Sequence, residues 1–93
     1  MITIVVVSAS ARKDLRHVPQ QIADKLRTWV DAVTHNGLEE VRKRPGYHDE
    51  PLLGDRRGQR SIRLNRSWRA IYVILSDGRI EFVEVQEVNK HEY

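Results

Sequence analysis

Six arginines, Arg56, Arg57, Arg60, Arg63, Arg66 and Arg69, fall within fourteen residues. Between Arg56 and Gly78 the only acidic residue is Asp77. A planar guanidinium binds a phosphate through two parallel hydrogen bonds, so a dense arginine set on regular structure makes a fixed phosphate-binding surface. Trp68 and Tyr72 interleave with these cations and are able either to stack on unpaired bases or to fill the core. Some of the arginines also have nearby carboxylates to pair with, at Glu81, Glu84 and Glu87. Such cross-strand pairs are common and contribute little.

Proton-transfer groups gather in two other places. The chain ends Val88-Asn89-Lys90-His91-Glu92-Tyr93, where His91 has the titration range of a general acid or base, and Lys90 and Tyr93 are able to assist. The same residues also suit a solvated terminus. The second place is Pro45-Gly46-Tyr47-His48-Asp49-Glu50, a loop sequence in which His48 and the carboxylates are candidate site residues. No recognised ligand spacing joins His48, Asp49 and His91, so no metal site is expected.

The elements that must position these groups follow from periodicity. Ile22, Leu26, Trp29, Val30 and Val33 form one apolar stripe at helical spacing over 20–36, and Asn36-Gly37 stops the helix. A short helix is expected over 10–16 with Ser8 or Ser10 as its cap. A further turn or two is expected over 38–44, before Pro45-Gly46. The nearly continuous β-branched run at 2–7 predicts a strand buried on both faces. Strands are predicted over 59–64, 68–75 and 79–88, the last two joined at Asp77-Gly78 by a two-residue type I′ turn. The expected architecture is α+β: an N-terminal strand, two helices, then a three-strand antiparallel meander, in one sheet with helices on one face.

At 93 residues the chain suits a single domain, 1–93, with no space for a cofactor domain. No cofactor is expected. Sixteen Lys and Arg against thirteen Asp and Glu give a net charge of +3 and a pI near 9.6, a mild pointer to an anionic partner. The absence of cysteine excludes disulfides, thiolate nucleophiles and cysteine-bound metals, and fits a cytoplasmic protein. The apolar opening is too short to span a bilayer and lacks the basic start of a signal peptide, so no membrane association is expected.

The run Pro51-Leu52-Leu53-Gly54-Asp55-Arg56-Arg57-Gly58-Gln59-Arg60-Ser61-Ile62-Arg63-Leu64, followed by Trp68-Arg69-Ala70-Ile71-Tyr72, resembles toxins of the RelE/HigB group in the RelE/ParE superfamily. Their pattern is Pro-Leu-x-Gly-Asp, a basic Gly-containing turn, an Arg-bearing strand, then Trp-Arg or Tyr-Arg at the head of the next strand. The order of elements is also similar, so the resemblance covers nearly the whole chain. It implies the toxin of a bacterial type II toxin–antitoxin pair, neutralised by a cognate antitoxin. It further implies a ribosome-dependent, metal-independent endoribonuclease that cuts mRNA and stops translation.

On this resemblance Arg69 holds the scissile phosphate and Arg63 assists, with Arg56, Arg57, Arg60 and Arg66 as further RNA contacts. His91 is the expected acid, helped by Tyr93 or Lys90. Two places depart from the pattern. Many HigB-type toxins have His-Pro-Leu-Lys-Gly where this chain has Glu50-Pro51-Leu52-Leu53-Gly54, leaving His48 as the substitute. The tail reads Lys-His-Glu-Tyr where several relatives have Asp-Tyr-His. The same fold also serves ParE-like inhibitors of DNA gyrase, which cut nothing, and an arginine sheet alone would make a non-catalytic RNA-binding module. The His-Tyr end favours the nuclease.

Overall fold

The computed structural model describes residues 1–88; Lys90, His91 and Tyr93 lie outside them. Branched side chains favour extended backbone, and Val5–Val7 form strand β1. Ser8 then caps helix α1 (Ala9–Leu15), its hydroxyl accepting from the Ala11 N–H at 3.0 Å. Helix α2 (Gln20–Asn36) buries Ile22, Leu26, Trp29 and Val33, the stripe its periodicity predicts. It ends at Gly37, whose φ of 86° only glycine adopts freely, and the Gly37 amide donates to the Val33 carbonyl at 2.8 Å. A β-carbon there would lie 2.7 Å from Met1 Cγ. One turn of helix, α3 (Leu38–Val41), follows and buries both of its apolar ends.

A 3-10 turn, Pro45–Tyr47, leads to His48, which takes a left-handed backbone (φ 46°, ψ 49°). Strand β2 is only Glu50–Pro51. A second 3-10 turn (Gly54–Arg56) precedes β3 (Gln59–Arg63), β4 (Trp68–Ile74) and β5 (Ile80–Glu87). The five strands form one sheet in the order β1-β5-β4-β3-β2.

The result is the expected α+β layer with three differences. The sheet is mixed, because β1 runs parallel to β5. The meander has a fourth member, β2, paired antiparallel to β3. The opening strand is three residues long and half-buried, with Ile4 58% exposed. It is an edge strand with β5 as its one strand neighbour, and its three valines are each only partly buried, so the run is not buried on both faces.

The β4–β5 turn also departs from expectation. Leu75 N–H donates to the Arg79 carbonyl at 2.8 Å and Gly78 N–H to the Leu75 carbonyl at 2.9 Å. In this loop Gly78 alone has positive φ (90°). This is the three-residue connection in which a single left-handed glycine closes the turn, rather than the type I′ turn, which needs positive φ twice. Asp77 accepts from the Arg79 N–H at 3.1 Å and steadies it.

All buried helix residues pack on one sheet face, against Ile62, Leu64, Ala70, Tyr72, Ile80, Phe82 and Val85. Trp29, Tyr72 and Phe82 meet edge to face or tilted, with centroids 5.2–5.8 Å apart, a geometry that aromatic quadrupoles favour. Phe82 and Val85 share this face although strict alternation would separate them. An irregularity in β5 allows it: Tyr72 pairs with Phe82 while Ile71 pairs with Glu84, leaving Val83 without a partner. Past Phe82, β1 has ended, and Asp14 of α1 takes its place by accepting from the Val85 N–H at 2.9 Å. Among the described residues, no helix is long and apolar enough to cross a membrane.

Candidate nucleic-acid interface

Alternation along the strands assigns the second sheet face. With Ile62, Ala70 and Val85 committed to the core, Ser61 and Arg63 of β3, Arg69 and Ile71 of β4, and Glu84 and Gln86 of β5 fall on the open side. Arg63 pairs in register with Arg69, and Arg69 with Gln86. His48 lies two residues before β2, at the end of a turn that packs against β3. Arg63, Arg69 and Gln86 make one row across the sheet.

Two arginines directly opposite each other in an antiparallel pair, with Cβ atoms about 5 Å apart, repel. Neither has an ion-pair partner among the described residues. The Nε of Arg69 is buried and has no hydrogen-bond partner there. Leaving such a donor unmet costs about 1–3 kcal/mol, and more on a charged group. An anion bridging the two guanidiniums would remove both costs. Arg57 and Arg66 are exposed on the loops at either end of β3 and have no ion-pair partner among the described residues.

The other two arginines are already engaged. Arg56 lies on the open side but donates through Nε to Gln59 Oε1 at 2.7 Å and through Nη2 to Glu84 Oε1 at 2.6 Å. Since Gln59 is on β3 and Glu84 on β5, its guanidinium lies over β4. One of the alternative carboxylate partners, Glu84, is thus realised.

Arg60, expected among the RNA contacts, is turned to the helix side. There its Nε donates to Asp49 Oδ1 at 2.7 Å, while the Tyr72 hydroxyl donates to Asp49 Oδ2 at 2.6 Å. The Asp49 side chain is fully buried. Burial alone would make the Arg60 guanidinium easier to deprotonate, but the bond and charge of Asp49 outweigh it and hold the cation. Burial first, and then the Asp49 carboxylate, push the Tyr72 phenol far above its ordinary range. Tyr72 is a core residue and presents no ring for base stacking, and Trp68 is half-buried against the core.

The row thus brings together Arg63 and Arg69 from the candidate set and adds Gln86, while His48 sits on the turn before β2. It leaves out Arg60, whose buried partner Asp49 is far away in sequence. Lys90, His91 and Tyr93 fall outside the described residues.

No family model matches the chain, and no curated protein does. Solved structures do. YafQ from E. coli strain BL21(DE3) aligns with a TM-score of 0.72 at 22% identity, over 89% of this chain and 90% of that one. A YoeB/ParE toxin from Agrobacterium tumefaciens aligns at 0.66 and 20% identity, over 90% and 96%. The toxin–antitoxin complex RelBE2 from Mycobacterium tuberculosis aligns at 0.63 and 20% identity, over 94% and 99%. The fold of this chain is therefore RelE-like, the architecture shared by toxins of the RelE/ParE superfamily, in line with the resemblance carried by residues 51–72.

Proposed function

We propose that this protein is the toxin of a type II toxin–antitoxin pair and acts as a ribosome-dependent, metal-independent mRNA endoribonuclease. The observation that carries the reading is the Arg63–Arg69 pair on the open sheet face, with the Arg69 Nε buried and unpaired. Two adjacent guanidiniums without carboxylates suit a phosphodiester, and one cation is already partly desolvated to receive it. The RelE-like fold supports the toxin role, and the RelBE2 complex supports a cognate antitoxin as partner. A row of free cations is a natural surface for an acidic segment of that antitoxin to cover.

In the reaction, the ribose 2′-oxygen attacks the adjacent phosphorus and the bond to the 5′-oxygen breaks, leaving a cyclic phosphate. A base takes the 2′ proton and an acid returns one to the 5′-oxygen. Arg69 and Arg63 hold the charge that grows on the phosphoryl oxygens. His91 remains the proposed acid, with Lys90 or Tyr93 assisting, and His48 on the turn packed against β3 is a further candidate.

Single-turnover cleavage of mRNA on programmed ribosomes tests this. Arg69→Ala is expected to weaken RNA binding and cleavage together, since it contacts charge in both ground and transition states. His91→Ala is expected to lose about 10²–10⁴ in rate with binding nearly intact. Absence of cleavage by the unmodified protein would overturn the nuclease reading. RNA binding alone would then leave the non-catalytic module, and inhibition of supercoiling the gyrase inhibitor.

A further inference from the structure

The amide of Gln86 is held in one orientation. Its Nε2 donates to Glu84 Oε2 at 2.9 Å. Glu84 Oε1 is in turn held by Arg56 Nη2 at 2.6 Å, and Arg56 by Gln59 at 2.7 Å. An ionised carboxylate only accepts hydrogen bonds, so the nitrogen end of the amide must face Glu84 and the oxygen end must face away. Among the described residues, nothing donates to that oxygen. The chain Gln59–Arg56–Glu84–Gln86 thus ends in a free acceptor on the residue directly across the sheet from Arg69.

An acceptor beside an anion-binding cation is out of place if the ligand is only an anion, because two acceptors repel. It fits a ligand that carries a hydroxyl donor next to its phosphate. RNA does: the 2′-hydroxyl sits on the sugar carbon adjacent to the one bearing the 3′-phosphate, and DNA lacks it. We infer that Gln86, with its amide oriented by Glu84, accepts a hydrogen bond from the ribose 2′-hydroxyl beside the phosphate held by Arg69, and so selects RNA over DNA. Glu84 is a positioning residue here, and Arg56 holds Glu84 in place instead of contacting phosphate itself. The inference rests on the proposal that Arg69 binds phosphate.

Fluorescence anisotropy of the full chain with a labelled single-stranded RNA and the DNA of the same sequence separates the two ideas. One hydrogen bond corresponds to an RNA preference of about 3–10-fold. Gln86→Leu is expected to bring RNA affinity down to the DNA value while DNA affinity stays put. Glu84→Gln releases the amide to flip, so the RNA:DNA ratio falls even though removing a negative charge raises both affinities. The ratio is taken within one preparation, so an inactive fraction scales both arms equally. A ratio near 1 in the unmodified protein, or one unchanged by Gln86→Leu, overturns this inference; if Arg69→Ala still weakens both nucleic acids, the phosphate-site proposal survives. Binding indifferent to Arg69→Ala overturns both.

Discussion

Asp49→Ala removes the one acceptor shared by two donors. Arg60 keeps only 26% of its side chain in solvent, and the Tyr72 ring is fully buried. The lost carboxylate leaves a mostly buried cation and a buried hydroxyl unmet. Breaking a buried ion pair from one side costs about 3–5 kcal/mol, and the orphaned hydroxyl contributes within that figure. A chain of this size has a net stability of about 5–14 kcal/mol, so the variant should fold but sit near the edge. With a urea m-value of about 1.5 kcal/mol/M, the midpoint falls by about 2–3 M. Asp49→Asn keeps an acceptor for one donor and should lose less, about 1–2 kcal/mol. Crossing Asp49→Ala with Tyr72→Phe should show a coupling of about 1 kcal/mol. An Asp49→Ala midpoint within about 0.3 M of wild type would refute the reasoning, because it would mean that Arg60 and Tyr72 find water or other partners at no cost.

Other outcomes follow from the same geometry. The Tyr72 phenol is raised above its ordinary value of 10.0, first by burial and then by Asp49. The folded state therefore keeps a proton that the unfolded state gives up: this stability is complete below about pH 10 and is lost as pH rises past it. Urea midpoints against pH should fall above 10 in the wild type, and less steeply in Tyr72→Phe. Removing both Arg63 and Arg69 should flatten the plot of log K against log salt for single-stranded RNA by about 1.4, whereas Arg60→Ala should destabilise the fold and leave that slope alone. Trp29→Ala should cost about 3–5 kcal/mol in thermal or urea unfolding through the cavity it leaves; a normally melting variant would contradict its place in the aromatic core. His48→Gly removes the left-handed strain on a side-chain-bearing residue, and should keep or slightly raise stability while lowering cleavage on ribosomes.

Local periodicity carried most of the fold. The α2 stripe and the three long strands depend on neighbours a few residues apart, and they are where the apolar spacing puts them. What was not legible depends on distant partners. The run at 2–7 has the composition of a central strand, and only the position of β5 makes it an edge. A two-residue strand containing proline, β2, has no periodicity to detect. The β5 irregularity did leave a trace in the spacing Ile80, Phe82, Val85, an even step followed by an odd one. The site shows the same division. A basic cluster was plain, but Arg60 and Arg63 are three residues apart on one strand, so alternation already forbids them a common face. The apolar Ile62 and Leu64 share Arg60's side of the strand and mark it as the inward one, but the buried partner that holds it there, Asp49, lies eleven residues back across a loop and leaves no sign in the spacing. The orientation of Gln86 depends on Glu84 and Arg56 together and has no local signature.

The parallel pairing of β1 with β5 sets a time order on the making of this protein. Val5 meets Ile80 and Val7 meets Phe82, so the first strand synthesised waits for the last before it has a neighbour. Phe82 also completes the aromatic trio with Trp29 and Tyr72. A nascent chain still lacking β5 has helices with half a core and a sheet without its central contact, and pairings this distant form slowly. The row Arg63, Arg69 and Gln86 cannot exist until residue 86 has been added. A partner present in the same cell can therefore meet the growing chain while this face of the sheet is still unformed.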